Sequence, residues 1–354
     1  MTIKKLHRTL ALFVAVFWLV QALTGVALTF RHEIDNATLH DAAPAGAPVA
    51  ARTDALGERI ESIQHAGGKV SSLWVASFAI DRFDIYYADA SGADRLMRVD
   101  GAGHILRDGL EGAAFTNGGL FRTLTDIHTT LMAGDVGRWI IAISGVLLLS
   151  NIVFGLTLAW PRAGAWRQVL IPRPSRNTSA QLYGWHRAVG LWIAVPLLVI
   201  VLAGVALRFD TDVERALGVV RAEPVGAPAG ALDVRPVRAL DIALARFPGS
   251  TITALSMPSE EKPWYRMRVR APGEVHRLYG TTTLFVSAVD GAVLKEYAAT
   301  TAAFARSLYD VLYPLHTGEV GAIPGRLLIV ALGLLLLATG LFGIFLWFTR
   351  RKRR

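Results

Sequence analysis

Residues 128–162, HTTLMAGDVGRWIIAISGVLLLSNIVFGLTLAWPR, decide how this chain is read, because the stretch returns without a gap 188 residues later at 316–350, HTGEVGAIPGRLLIVALGLLLLATGLFGIFLWFTR. In both copies a histidine, His128 or His316, stands ten residues before an arginine, Arg138 or Arg326. The glycine pairs Gly137/Gly325, Gly145/Gly333 and Gly155/Gly343 fall in register. From each arginine onward the residues are almost wholly apolar for about the twenty that a helix needs to cross a bilayer. Each copy therefore reads as a histidine leading into a membrane span.

A second echo frames the first. LHRTLAL…GVALTF at 6–30 matches WHRAVGL…GVALRF at 185–209 with a constant offset of 179, which pairs His7 with His186, Arg8 with Arg187 and Gly25 with Gly204. The apolar run near the N-terminus is thus a membrane helix; a cleaved secretory signal would not need a twin inside the mature protein. The fold class that follows is membrane α-helical, with four transmembrane helices in two repeated units and an α+β region in each unit. The expected boundaries are helix 1 at 8–31, a polar region at 33–125, a histidine segment and helix 2 at 126–162, a linker at 163–182, helix 3 at 183–209, a second polar region at 211–310, a histidine segment and helix 4 at 311–350, and a basic tail at 351–354.

Composition agrees with a mixed membrane protein: 354 residues, 53% hydrophobic, with a mean hydropathy of +0.40. The net charge of +9 matters less than where the charges lie. Lys4, Lys5 and Arg8 precede the first apolar run, Arg162, Arg167, Arg173 and Arg176 lie between the second and third, and five basic residues close the chain. That one-sided pattern places both termini and the linker in the cytoplasm and the two polar regions outside. No nucleic-acid partner is expected, since the basic residues flank membrane spans. The absence of cysteine excludes disulfides, thiolate nucleophiles, iron–sulfur clusters and covalently attached c-type haem. No H-E-x-x-H, Walker loop, dinucleotide fingerprint or Gly-x-Ser-x-Gly elbow occurs.

Within the polar regions, helical spacing near 53–66 and 239–248 precedes alternating stretches that read as strands, with turns at Asp100-Gly101 and Asp290-Gly291. Pro/Ala/Gly-rich pieces at 40–53 and 223–236 read as linkers.

Four of the nine histidines, His7, His186, His128 and His316, occupy equivalent places in the duplicated units. Three readings of them stand together. They are interfacial polar residues; or axial ligands of b-type haem, the ordinary use of imidazole inside a helical bundle; or part of a zinc site that draws on Asp126, Asp135 and Glu319. For the haem reading the neighbouring faces must be small. Ala11 and Ala15 follow His7 at one and two turns, Gly190 and Ala194 follow His186, and Gly25 and Gly204 lie five turns on along the same faces. Depth pairs His7 with His186 at an inner level and His128 with His316 at an outer one. His32, at the end of the first span, is an alternative outer ligand. Arg8, Arg187, Arg138 and Arg326 are candidate partners for haem propionates or simple interfacial anchors. His40, His65, His104 and His276 have no spacing that suggests a metal.

The motifs L-H-R-x-L-A-L at 6–12, W-H-R-A-V-G-L-W at 185–192, I-H-T-T-L at 127–131 and L-H-T-G-E-V-G at 315–321 resemble those of the PepSY-associated transmembrane family, and the resemblance covers nearly the whole chain. The polar regions, with hairpins at 99–106 and 289–294, resemble PepSY modules. What the resemblance implies is a bacterial inner-membrane protein with two periplasmic α+β PepSY-like regions. Relatives of this kind include ferric-siderophore reductases with haem b held by histidine pairs. It implies two haems here, an electron donor in the cytoplasm or the quinone pool, and a ferric chelate or siderophore as periplasmic partner, reduced to release Fe(II). PepSY modules also resemble regulatory domains of peptidases, and so imply as an alternative a membrane-tethered binding protein without redox activity.

Overall fold

The structure is a computed structural model that describes residues 2–39, 51–79, 82–112, 119–219, 224, 226, 228 and 230–351. His40, most of the first Pro/Ala/Gly-rich linker, part of the second and the basic tail beyond Arg351 lie outside the described residues.

In chain order the helices are α1 (Ile3–Thr29), α2 (Arg31–Ala37), α3 (Thr53–His65), α4 (Gly119–Thr130), α5 (Gly134–Ala159), α6 (Trp166–Leu170), α7 (Thr178–Arg208), α8 (Asp210–Ala216), α9 (Pro236–Arg246), α10 (Phe304–Thr317) and α11 (Ala322–Arg351). The strands are β1 (Lys69–Val75), β2 (Arg82–Ala88), β3 (Asp94–Asp100) and β4 (Ile105–Leu110), then β5 (Thr251–Ser256), β6 (Trp264–Arg270), β7 (Thr282–Ser287) and β8 (Val293–Tyr297). They sort into two units, one of helices and one built on a sheet.

The helical unit comprises Met1–Phe30, Thr123–Val213 and Leu312–Arg354. Its long helices α1, α5, α7 and α11 are each long and apolar enough to span a bilayer. They pack as a ring in which α1 touches α5 and α11, and α7 touches the same two. Small clusters fill the centre, Val14, Trp18 and Leu148 in one and Ile193, Leu197 and Leu332 in another. Large apolar side chains such as Phe13, Val16, Ile143, Val195, Leu202, Leu334 and Phe345 remain exposed on the protein, as a lipid-facing surface requires.

Local chemistry sets the ends of these helices. Thr2 caps α1 by accepting from the Lys5 backbone N–H, and Asn177 caps α7 by accepting from Ser179 and Ala180. α7 therefore starts inside the stretch expected as linker, and α6 occupies another part of it. Between α4 and α5, and again between α10 and α11, the chain turns sharply. Leu131, Met132 and Gly134 have positive φ in the first turn, and Gly318 and Ala322 in the second. The register glycines explain themselves here: a β-carbon on Gly137 would lie 1.6 Å from Thr130 O, and one on Gly325 2.3 Å from Gly318 O. One helix can press its end against the start of the next only because no side chain intervenes.

The sheet unit comprises Arg31–Arg122 and Glu214–Val311. The sequence leads to two separate α+β regions, and the structure corrects this. All eight strands form one antiparallel sheet in the order β4-β3-β2-β1-β5-β6-β7-β8. The join is β1 against β5, with Ser72, Leu73 and Trp74 opposite Ser256, Leu255 and Ala254. The physical reason is that β1 and β5 are the inner strands of two four-stranded halves. Unpaired, each would leave a row of backbone donors and acceptors open along an apolar strand. On one face α3 and α9 pack together over a core that includes Leu56, Ile60, Leu73, Phe83, Ile85, Leu240, Leu255, Met267 and Leu284.

α2 is pinned to the sheet by ion pairs. Asp35 accepts from both Nη atoms of Arg107 at 2.9 and 3.0 Å and from Arg98 Nη1 at 2.7 Å. Arg98 in turn makes a bidentate pair with Asp84 at 2.7 and 2.8 Å. Burial pulls the Asp35 carboxyl up, but Arg107 and Arg98 outweigh it and hold the group below the usual carboxylate range.

Candidate functional site

Four of the histidines singled out in the sequence meet in two pairs within the helical unit. The ring centroids of His7 and His186 are 6.2 Å apart, and those of His128 and His316 are 6.3 Å apart. Each pair takes one histidine from each half of the chain.

Hydrogen bonds fix the state of these rings. His7 Nδ1 lies 3.2 Å from Asn151 O, His186 Nδ1 3.0 Å from Thr339 O, and His316 Nδ1 3.0 Å from Ile200 O. A carbonyl only accepts, so each Nδ1 carries the proton and donates it. His128 Nδ1 is 2.9 Å from Thr24 Oγ1, whose own hydroxyl donates to Val20 O at 2.7 Å. The Thr24 oxygen is left to accept from His128. In all four rings Nε2 therefore keeps its lone pair, the tautomer a metal-ligating imidazole needs, with the donor contact that raises its basicity already in place.

A glycine lies against each ring. Added β-carbons at Gly155, Gly343, Gly25 and Gly204 would stand 3.1, 3.3, 3.2 and 2.6 Å from Cε1 of His7, His186, His128 and His316 respectively. This corrects one expectation. Gly25 and Gly204 do not clear space beside His7 and His186 on their own helices; they receive the histidines of α4 and α10. The reason is antiparallel packing: the far end of α1 lies beside the start of the next span. At Gly190 a β-carbon would meet nothing within 4 Å. The inner and outer levels are about 27 Å apart along the helix axes, taking the 18 residues from His7 to Gly25 or His186 to Gly204 at about 1.5 Å each.

The donor set, two close imidazoles with Nδ1 committed elsewhere, suits a group that would be held through Nε2 of His7 and His186 or of His128 and His316. Buried polar atoms without partners lie on the same helices: Gln21 Nε2, one turn before Thr24, and Asn151 Oδ1, on the residue whose carbonyl holds His7. The zinc reading gains no further ligands. Among the described residues no group of three or more His, Cys, Asp or Glu side chains is placed to hold a metal ion, and Asp135 pairs with Arg138 at 3.1 Å.

His32 belongs to the sheet unit, where its ring stands edge-on to Tyr279 at 6.3 Å and its Nε2 accepts from Arg31 Nε at 3.1 Å. The arginines divide by copy. Arg326 is buried, donates to Thr29 O at 3.1 and 2.6 Å and covers the Phe30 ring. Arg187 donates to Ala159 O at 3.0 Å. Both satisfy carbonyls at the ends of neighbouring spans, while their counterparts Arg138 and Arg8 are exposed.

The family model for the PepSY-associated transmembrane region matches residues 4–350. The chain belongs to the PepSY-associated transmembrane family. The match runs through all four spans and both strand-bearing segments, so the histidine pairs and the eight-stranded sheet lie inside the region that defines this PepSY-associated membrane protein. No curated protein matches the chain.

Proposed function

We propose that this PepSY-associated protein is a membrane electron carrier that holds two b-type haems, one between His7 and His186 and the other between His128 and His316. The single observation that carries the reading is that four histidines at equivalent places in the sequence form two close ring pairs, each ring with Nδ1 committed as a donor. Haem iron supplies one-electron chemistry when bound. The chain supplies the fixed tautomers, the glycine faces and an apolar surround that keeps water from the ligands.

The same reading takes the chain as two copies of one unit. In its support are the offsets of 179 and 188 residues and a sheet whose strands run outward in the same order on both sides of β1 and β5. It sets the protein in a bacterial inner membrane with both termini in the cytoplasm and the sheet in the periplasm. Electrons enter from a cytoplasmic donor or a quinol and leave to a ferric chelate. One electron converts Fe(III) to Fe(II), which hard oxygen chelators bind less tightly, and the iron is released.

The test is spectroscopic. Purified protein should show a Soret band with α and β peaks on reduction, and added ferric chelate should reoxidise it while a colour-forming ligand traps Fe(II). His7→Ala or His186→Ala should remove one haem, His128→Ala or His316→Ala the other, and His32→Ala neither. A colourless protein refutes the proposal and leaves the tethered binding protein as the better reading; loss of a haem in His32→Ala refutes the pairing.

A further inference from the structure

The sheet carries a cationic feature that the histidine pairs do not use. Along β6, Tyr265, Met267 and Val269 are buried in the core beneath α3 and α9. Strand alternation therefore turns Arg266, Arg268 and Arg270 to the opposite face. Arg268, the middle one, stands between Ala254 on β5 and Thr283 on β7, neither of which offers a charge. Its Nε is buried without a hydrogen-bond partner, and among the described residues its guanidinium makes no ion pair.

Two further arginines stand beside it. Burial first, then the nearby Arg277 and Arg266, push the Arg268 guanidinium down to about 10. Two carboxylates lie in reach of its field, and both are engaged elsewhere. Asp310 accepts from the Tyr297 hydroxyl at 2.5 Å and from Arg306 Nε at 3.1 Å. Glu274 accepts from the backbone N–H groups of Ala271, Thr281 and Thr282 at 3.1, 2.8 and 3.0 Å. Those bonds hold the 271–281 loop back across the strand. Gly280 permits the approach, since a β-carbon there would lie 2.0 Å from Val269 O. The loop delivers Arg277, whose Nη1 donates to Thr281 Oγ1 at 3.3 Å and Asp310 O at 3.4 Å. A largely desolvated guanidinium with no ion pair of its own disfavours folding, and one beside further arginines disfavours it more. An anion reverses the sign of both effects, and arginine forks bind planar oxyanions through paired N–H donors.

We propose that Arg268, with Arg266 and Arg277 beside it, forms an oxyanion site on this face of the sheet for a ligand that carries carboxylate or phosphate. That chemistry has two sources, a soluble polycarboxylate or phosphate and the headgroup of an anionic lipid. The site stands apart from the haem proposal, because binding is read without electron transfer.

The full chain in neutral detergent is titrated with citrate, inorganic phosphate and short-chain phosphatidylglycerol, with calorimetry and the thermal unfolding midpoint as readouts. At least one probe should bind saturably and raise the midpoint, and the soluble and lipid arms tell the sources apart. Arg268→Gln should weaken that binding about tenfold or more, while Lys69→Gln, at the exposed start of β1, should leave it unchanged. Without anion, Arg268→Met should unfold no earlier than the wild type, whereas a purely structural arginine would make the variant less stable. If Arg268→Gln does not accumulate, Arg266→Gln, which is exposed on the same face, must weaken binding instead. Absence of saturable binding in every arm, or unchanged affinity in Arg268→Gln, overturns the site. A colourless protein that binds citrate through Arg268 would sink the haem reading and keep this one.

Discussion

A glycine and a histidine in contact make the smallest unit of this architecture, and Gly204 against His316 is its tightest case. A methyl group there would stand 2.6 Å from Cε1 and 2.8 Å from Nδ1. The ring would have to move, and with it the bond from Nδ1 to Ile200 O. On the two-haem proposal, Gly204→Val should therefore cost the haem assigned to His128 and His316 and leave that assigned to His7 and His186, as read from absorbance and haem content. Leu202→Ala, on the exposed face of the same helix, is the matched control and should keep both. The glycine register was legible in the sequence, but its purpose was not. Periodicity reports which residues share a face of one helix, and Gly25 does share the face of His7. It cannot report that the neighbouring helix runs the other way and brings His128 to that level.

One element without a clear signal in the sequence is α2, seven residues that follow the first span directly. Its local signal, RHEIDNA, is too short and too polar to stand out, and its stability comes from Asp35 between Arg98 and Arg107 on strands far away in sequence. Asp35→Asn should destabilise the sheet unit by about 2–4 kcal/mol, because it leaves two arginines short of a buried partner; chemical denaturation of the full chain measures it. The pH dependence has a definite sign. A carboxyl held below its usual range in the folded state contributes stability that is present above about pH 4, the unfolded value, and is lost as pH falls through the lower folded value. The gap between wild type and Asp35→Asn should accordingly close on acidification. The strand RMRVR shows the opposite case. Its three arginines at alternate positions were in plain view and reveal one cationic face to period-two reading. Only the structure shows that Arg268 stays unpaired there.

Across the whole molecule, the four spans were legible because length and apolarity suffice to find them. The single sheet was not, because strand pairing between segments about 180 residues apart leaves no trace in local alternation. The spans and the charge pattern together give a topology that gene fusions can check. A reporter within 163–182 or after Arg354 should behave as cytoplasmic, and one within 220–235 as exported; an exported C-terminus would contradict the four-span arrangement. The β1–β5 join has a further consequence, in evolutionary terms. Strands that pair across it, and histidines that pair across the bundle, make the kind of self-complementary contact that two identical subunits make in a homodimer. In a homodimer every substitution appears on both sides of such an axis. On the two-copy reading proposed above, the covalently joined halves are free of that rule: Arg326 and Arg187 close the ends of spans in the first half, while Arg138 and Arg8 face outward. On that reading, selection can thus alter one histidine level of the bundle without altering its mirror image.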